Sequence, residues 1–274
     1  MIPQLDALAV RAADGDKAAL EEFVERVTGD VYNLALRMLG HPADAEDATQ
    51  EILIKVVTRL GTFRGESGIR TWIWRVAGNH LLSTRRGRHE GALSFDTLED
   101  LIEDGLRDDR PAPVTAVDAL LDEEVKLGCL QAMMLCLARE ERLAYLLSEV
   151  FEMSGDEGAA VLEIQPAAFR KRVSRAREAL REFLNATCGL VSGTAPCRCR
   201  RQVGPCIRKG MIDPATLVYT VHPTRARRDP ALWSYYRAVE TVDRAVALFR
   251  SHPDYAAPES LARGVRKAIE TSGM

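Results

Sequence analysis

From Val31 to Arg88 the apolar residues recur at helical spacing, and short Gly-containing breaks divide the run into three helices. Val31 to Leu39 is the first. It stops at Gly40, with Pro42 just beyond, a common way for a helix to end. Asp44 to Leu60 is the second, with Ile52, Leu53, Val56, Val57 and Leu60 as its core stripe. Its opposite face presents Asp47, Gln50, Glu51, Ile54 and Lys55. Gly61 to Gly68 is a loop, and Ile69 to Arg86 is the third helix. An acidic-faced helix, a Gly-rich loop and a helix carrying tryptophans and arginines thus follow in order. That order pairs a protein-docking surface with one suited to a single nucleic-acid strand.

Composition supports an all-α reading. Charged residues make up 28% and aromatics 6% of the 274 residues, which favours helical bundles over sandwiches or barrels. That length has room for two or three small domains. The net charge of −3 excludes a uniformly basic DNA-coating protein, so nucleic-acid affinity must come from local charge. Neither a signal peptide nor an apolar run long enough for a bilayer is visible, so a cytoplasmic location without membrane contact is expected. In that reducing compartment six cysteines read as core thiols, metal ligands or redox switches rather than a disulfide framework.

Elsewhere, Leu5 to Thr28 is helical with a break at Gly15, and Asp16 is a fitting N-cap. From Gly87 to Asp118 acids and prolines dominate, which predicts a solvated linker with one helical turn near Leu98 to Ile102. Helices resume at Leu120 and run to about Leu184, followed by a cysteine-bearing segment. A helix over Pro230 to Arg250 breaks at His252-Pro253, and a shorter one runs from Pro258 or Glu259 to about Thr271.

Four constellations carry chemistry. Asp47, Gln50 and Glu51 stand at i, i+3 and i+4 with Ile54 one turn on; a solvated face and a protein contact both fit. On the Ile69 helix, Ile69, Trp72, Ile73, Val76 and His80 face the core, while Thr71, Trp74, Arg75, Gly78 and Asn79 face outward. The outward stripe offers a ring for stacking, a cation for phosphate and an amide for a base edge. A Trp74 packed on a neighbouring helix fits equally well. Ser154 to Leu184 reads as a helix-turn-helix, with Ser154 as a cap, a turn at Glu163 to Gln165, and Pro166 opening the second helix. Arg170, Lys171, Arg172, Arg175 and Arg177 crowd its early turns around Phe169, Val173, Ala176, Leu180 and Leu184. Finally Cys188, Cys197, Cys199 and Cys206 form C-x8-C-x-C-x6-C in a basic loop. Zinc or copper(I) binding, a reversible disulfide switch and free thiols all remain open. Cys129 and Cys136 sit on an apolar helix and read as core.

The run HPADAEDATQE, then FRGES, then TWIWRVAGN with basic residues after it, resembles region 2 of the extracytoplasmic-function sigma factors of bacterial RNA polymerase. The helices from Leu120 to Leu184 resemble region 4 of the same family. The resemblance implies a region 2 bundle over 1–90, an acidic linker over 91–117, a region 4 helix-turn-helix over 118–187 and a helical, cysteine-containing extension over 188–274. It implies no enzyme, and core RNA polymerase and promoter DNA as partners, with an anti-sigma factor a further candidate. Asp47, Gln50, Glu51 and Ile54 would grip the polymerase clamp. Phe63, Arg64 and Ser67 would pocket a flipped base of the −10 element. Trp72, Trp74, Arg75 and Asn79, with Arg85 and Arg86, would recognise and melt that element. Arg170, Lys171, Arg172 and Arg175 would read the −35 element. In four places this chain departs from the family pattern: Gly78 stands where a basic residue is usual, Glu163 where a turn glycine is usual and Gln165-Pro166 where a serine opens the recognition helix, and Glu149 to Gly155 lack the usual Leu-Ser-Tyr/Ala pattern. Two other readings compete: a helix-turn-helix regulator acting without polymerase, and a metal or thiol sensor built on the same scaffold.

Overall fold

The computed structural model describes residues 2–63, 65, 68–84, 93–108, 118–220, 244–255, 257–258, 260–261 and 263–265. The described elements are helical, apart from an isolated bridge between Cys188 and Cys197. The N-terminal bundle is α1 (Ile2–Ala13), α2 (Lys17–Leu39), α3 (Pro42–Arg59) with a 3-10 turn at Leu60–Thr62, and α4 (Ile69–Ser83). Asp16 caps α2 by accepting from the Ala19 amide at 3.0 Å. The break expected between Thr28 and Val31 is absent, because Gly29 and Asp30 continue the helix and α2 runs unbroken to Gly40. Gly40 then takes the left-handed conformation that ends it.

The acidic stretch is more ordered than its composition suggests. Ser94 and Thr97 form a reciprocal cap, and α5 (Phe95–Arg107) follows, far longer than the single turn expected. Its apolar residues explain the difference. Leu98 and Ile102 are buried and Phe95 lies 5.2 Å from the Phe183 ring, so one stripe has a partner while the acids stay wet.

The C-terminal bundle comprises α6 (Asp118–Cys136), α7 (Arg139–Tyr145) running into a π-helical turn at Leu146–Val150, α8 (Gly155–Leu162) and α9 (Pro166–Thr187). Ser154 and Glu157 form a capping box on α8, and Pro166 occupies the first turn of α9. Beyond α9 the segment expected as a basic loop contains a helix, α10 (Cys199–Arg208); of the helix expected over Pro230 to Arg250, α11 (Arg244–Arg250) is described and the part before Arg244 lies outside the described residues. α10 lies against α5, where the side chain of Gln202 fills the space a Cβ on Gly105 would need. There Gln202 Nε2 donates to the Ile102 carbonyl at 3.0 Å.

Three buried polar groups, Arg142, Arg37 and Glu124, and half-buried Arg139 join these parts. Arg142, 1% exposed, donates to the carbonyls of Met38, Leu135 and Leu137. Arg139 donates to the Leu81 and Thr84 carbonyls at the end of α4. Arg37 on α2 donates to the His252 and Pro253 carbonyls and pairs with Asp254 at 2.8 Å. Glu124 on α6 accepts from the amides of Val218, Tyr219 and Thr220 and from the Thr220 hydroxyl. One apolar core consequently runs through both bundles and α11.

Replacing Arg142 by Leu would leave three buried carbonyls without a cationic donor. The expected loss is about 3 kcal/mol or more of unfolding free energy. Thermal and urea unfolding of the variant against the parent chain measures it.

Candidate nucleic-acid interface

On α3, Asp47 and Glu51 are exposed and Gln50 and Ile54 half-buried, while Ile52, Leu53 and Val56 are fully buried. The acidic edge expected from the spacing is therefore open. Its far end is tied to α4: Lys55 Nζ lies 2.6 Å from His80 Nδ1, and Glu51 3.8 Å from His80 Nε2. Burial first, then Lys55, lowers the His80 pKa, so the ring is neutral at pH 7 and accepts from the ammonium. A Cβ on Gly264 would sit 3.4 Å from Gln50 Nε2, so the C-terminal segment reaches the edge of this face.

The start of α4 is held by Asp6, which accepts from the Ile69 amide at 2.8 Å. Half-buried Trp72 meets Phe63 at 5.9 Å, ring centre to ring centre. Asn79 is exposed. Arg64, Ser67, Arg85 and Arg86 lie outside the described residues. The outward stripe needs correction. Trp74 is 2% exposed, its ring 4.5 Å from Phe151 and 6.0 Å from the Arg70 guanidinium. Gly78 is buried too. Arg75 Nε donates to the Ala160 carbonyl at 3.3 Å and lies 3.9 Å from Glu163 Oε1. Helical spacing distinguished two faces of α4 correctly, but the second face meets the C-terminal bundle, a non-local partner that spacing cannot name.

On α9 the expected side is free. Arg170, Lys171 and Arg175 are exposed and Arg172 half-buried, over buried Phe169, Val173, Ala176 and Leu180. Arg175 has one neighbour of opposite charge, Glu141 at 3.8 Å. Arg177, though exposed, pairs with buried Glu149, which Arg250 of α11 also approaches at 3.7 Å.

The cysteines converge. Cys188 caps the end of α9, its bridge partner Cys197 precedes α10, and Cys199 and Cys206 stand on that helix. With Cys129 of α6 they line one largely apolar cavity of about 320 Å³, beside Glu124, Gln131 and Tyr219. Cys129 was read as a core residue; it joins the other four because α6 and α10 pack together, a contact without any local signal. All six cysteines are free thiols. Burial pushes Cys197 up to about 11, Cys199 to about 12 and Cys206 to about 11, and raises Cys188 and Cys129. Five soft donors around one cavity suit a thiophilic cation by chemistry. Among the described residues, however, no three metal-binding side chains are spaced to hold one as they stand. Nor, among those residues, is any helix long and apolar enough to cross a membrane.

Comparison with known proteins matches two segments of the chain. Residues 23–90 match Sigma-70 region 2, and residues 127–180 match Sigma-70, region 4. The RNA polymerase sigma factor NccH of Alcaligenes xylosoxydans xylosoxydans is 30% identical over 68% of this chain and 97% of its own length. The chain belongs to the extracytoplasmic-function RNA polymerase sigma factors. The ECF sigma factor SigE of Mycolicibacterium smegmatis is 33% identical over 64% of this chain and 66% of its own length. A solved structure of CnrH in complex with the cytosolic domain of CnrY aligns over 66% of this chain and 98% of that one, at 24% identity and a TM-score of 0.47. This sigma factor is accordingly a non-enzymatic initiation factor that binds core RNA polymerase and promoter DNA, and the family requires no cofactor for that. A regulator working without polymerase is set aside. Everything after residue 180, including four of the five clustered cysteines, lies beyond the matched regions.

The cysteine environment has a measurable sign. A folded pKa of about 12 for Cys199, above the ordinary 9.0, means that burying the neutral thiol stabilises the fold below about pH 9. That contribution is lost as pH rises through about 12. In chelated, reduced protein at pH 8, iodoacetamide should label Cys199 about a hundredfold or more slowly than in denaturant. Peptide mass spectrometry reads the ratio.

Proposed function

We propose that α3, α4 and α9 divide the sigma factor's three contacts among them, and that the extension regulates their availability. Asp47, Gln50, Glu51 and Ile54 dock on core polymerase. Phe63, Trp72, Trp74, Arg75 and Asn79, with Arg64, Ser67, Arg85 and Arg86, take the −10 element. Arg170, Lys171, Arg172 and Arg175 take the −35 element. The carrying observation is the open acidic edge of α3, where two exposed carboxylates rim a half-buried isoleucine. α9 supports the same reading, with exposed basic residues in the first turns of a helix that follows a tight turn. The site of action is the cytoplasm, where polymerase and promoter are.

In this reading the cysteine cluster is the extension's sensor, and its occupant is a thiophilic cation, zinc or copper(I). Such an ion would lower the thiol pKa values that burial raises, binding with release of protons. Cys188, Cys197, Cys199 and Cys206 would supply the ligands, with Cys129 adjacent. Because α10 carries two of these cysteines and packs on α5 and α6, occupancy of the cluster would bear on the linker and region 4 together. The extension would then regulate in place of, or alongside, a separate anti-sigma factor.

Two experiments test these readings. Asp47→Arg with Glu51→Arg should reduce association with core polymerase at least about a hundredfold in a pull-down, with helicity unchanged. Undiminished binding removes the α3 assignment. For the sensor, about one thiophilic ion per chain is expected on reconstitution. Cys197→Ser with Cys199→Ser should release it, and affinity should fall as pH is lowered. Reduced protein that takes up no ion returns the cluster to ordinary thiols.

A further inference from the structure

The cavity beside the cysteines has features that a bare ion does not use. It holds about 320 Å³ and is walled by Leu98 and Ile102 of α5, Ala132 and Met133 of α6 and Leu184 of α9. Met211 and Val218 also line it and are 51% and 41% exposed, so an apolar rim opens it to solvent. Polar groups on its wall are engaged elsewhere. Gln131 donates to the Arg37 carbonyl, Gln202 to the Ile102 carbonyl and Tyr219 to the Gly40 carbonyl, while Glu124 accepts from Val218 and Thr220. What these leave to a ligand is apolar surface and thiols. An apolar cavity of about 150 Å³ is enough to hold benzene, so an aryl group fits here with room to spare.

Two of the thiols are paired by the backbone. The Cys197 amide donates to the Thr187 carbonyl at 3.1 Å, and its carbonyl accepts from the Gly189 amide at 3.0 Å. The bridge sets Cys188 and Cys197 side by side, about 5 Å apart as in neighbouring strands. Burial raises both thiols, Cys197 to about 11, so both are neutral at pH 7. Among the described residues no three donors are spaced to hold an ion as they stand, which favours chemistry that needs two.

We propose that this pair and the cavity form a site for an organoarsenical(III), a soft centre that carries an apolar group. The inference rests on the reading of the cluster as a sensor of thiophilic species. In R–As(OH)2 the arsenic bears two exchangeable oxygens and one carbon. Condensation with Cys188 and Cys197 breaks both As–O bonds and forms two As–S bonds. The two thiol protons leave with the hydroxides as two waters. No electron is transferred, and no charge is left in the apolar cavity. The arsenic would clasp the end of α9 to the entry of α10, with its substituent against Leu98 and Ile102. An organomercury cation would use one thiol and leave its neighbour idle.

Phenylarsine oxide, which hydrates to this form, tests the site on the full chain after phosphine reduction and chelation. Mass spectrometry of the intact protein should show about one phenylarsenic per chain, as for one paired site. Its affinity should exceed that of inorganic arsenite about tenfold or more, because the ring is buried. Hydrogen exchange in α5 and α10 should slow about fivefold or more at saturation. Gly128→Leu fills the cavity without touching a thiol, since a Cβ there meets the Tyr219 ring at an ordinary 3.8 Å. It should remove the preference for the phenyl compound and leave arsenite binding within about twofold. Cys188→Ser with Cys197→Ser should abolish the phenylarsenic adduct. Equal affinity for the two arsenicals in the parent chain overturns the proposal. So does an unaltered preference in Gly128→Leu, or an adduct that survives loss of the pair. Zinc and copper(I) uptake by the same sample judges the ion reading separately, so either can fail without the other.

Discussion

A buried guanidinium sits where the two bundles meet. Arg142 sits where α2 and α6 both end, and helix ends leave carbonyls without partners and carry partial negative charge. One cation satisfies three of those carbonyls from inside the protein. With α6 and α7 pinned to the end of α2 in this way, α8 arrives over α4 and Phe151 over Trp74. Arg37 repeats the device one turn from the end of α2, in the other direction, and gathers the chain around His252 to Asp254. Region 2 is thereby fastened to region 4 by one buried arginine and to the extension by another.

Within the extension, the foothold of α10 is lighter. Around α10, among the described residues, Leu121, Val125 and Val203 form a small buried apolar cluster, edged by Cys199, Cys206, Ile207, Ile212 and Leu217. Two ion pairs join α10 to the acidic linker helix: Arg208 with Asp108, which is largely shielded, and Lys209 with Asp104, which lies toward solvent. A solvent-facing pair adds little on its own. A unit with so small a core opens at lower free energy than the bundles it rests on. It is a suitable place for a regulator: cheap to displace, yet in contact with both the linker and region 4.

How much of this was legible in the residues depends on how local each feature is. Caps were readable because Asp16, Ser154 and Pro166 act within one turn of themselves. The core stripe of α3 was readable for the same reason, and so was the basic side of α9. α5 was underread because acids outnumber its apolar residues, and composition hides a stripe as narrow as Leu98 and Ile102. Trp74 was placed on the correct face of its helix but not against its partner, Phe151, far along the chain. The placement of Cys129 beside four later cysteines, and of Glu124 beneath Val218 to Thr220, comes from tertiary packing alone. No period or cap announces either one.

Glu124 has a consequence for how this protein divides. Glu124 is 3% exposed, and among the described residues its four donor groups all lie between Val218 and Thr220. A polypeptide cut back to the end of α9 would keep the acid and lose every one of those donors. It would also lose Tyr219, whose hydroxyl donates to the Gly40 carbonyl. The remainder would not be an ordinary short sigma factor with an appendage removed. It would carry a bare acid beside an opened apolar cavity, so region 4 reaches its finished form only with the extension in place.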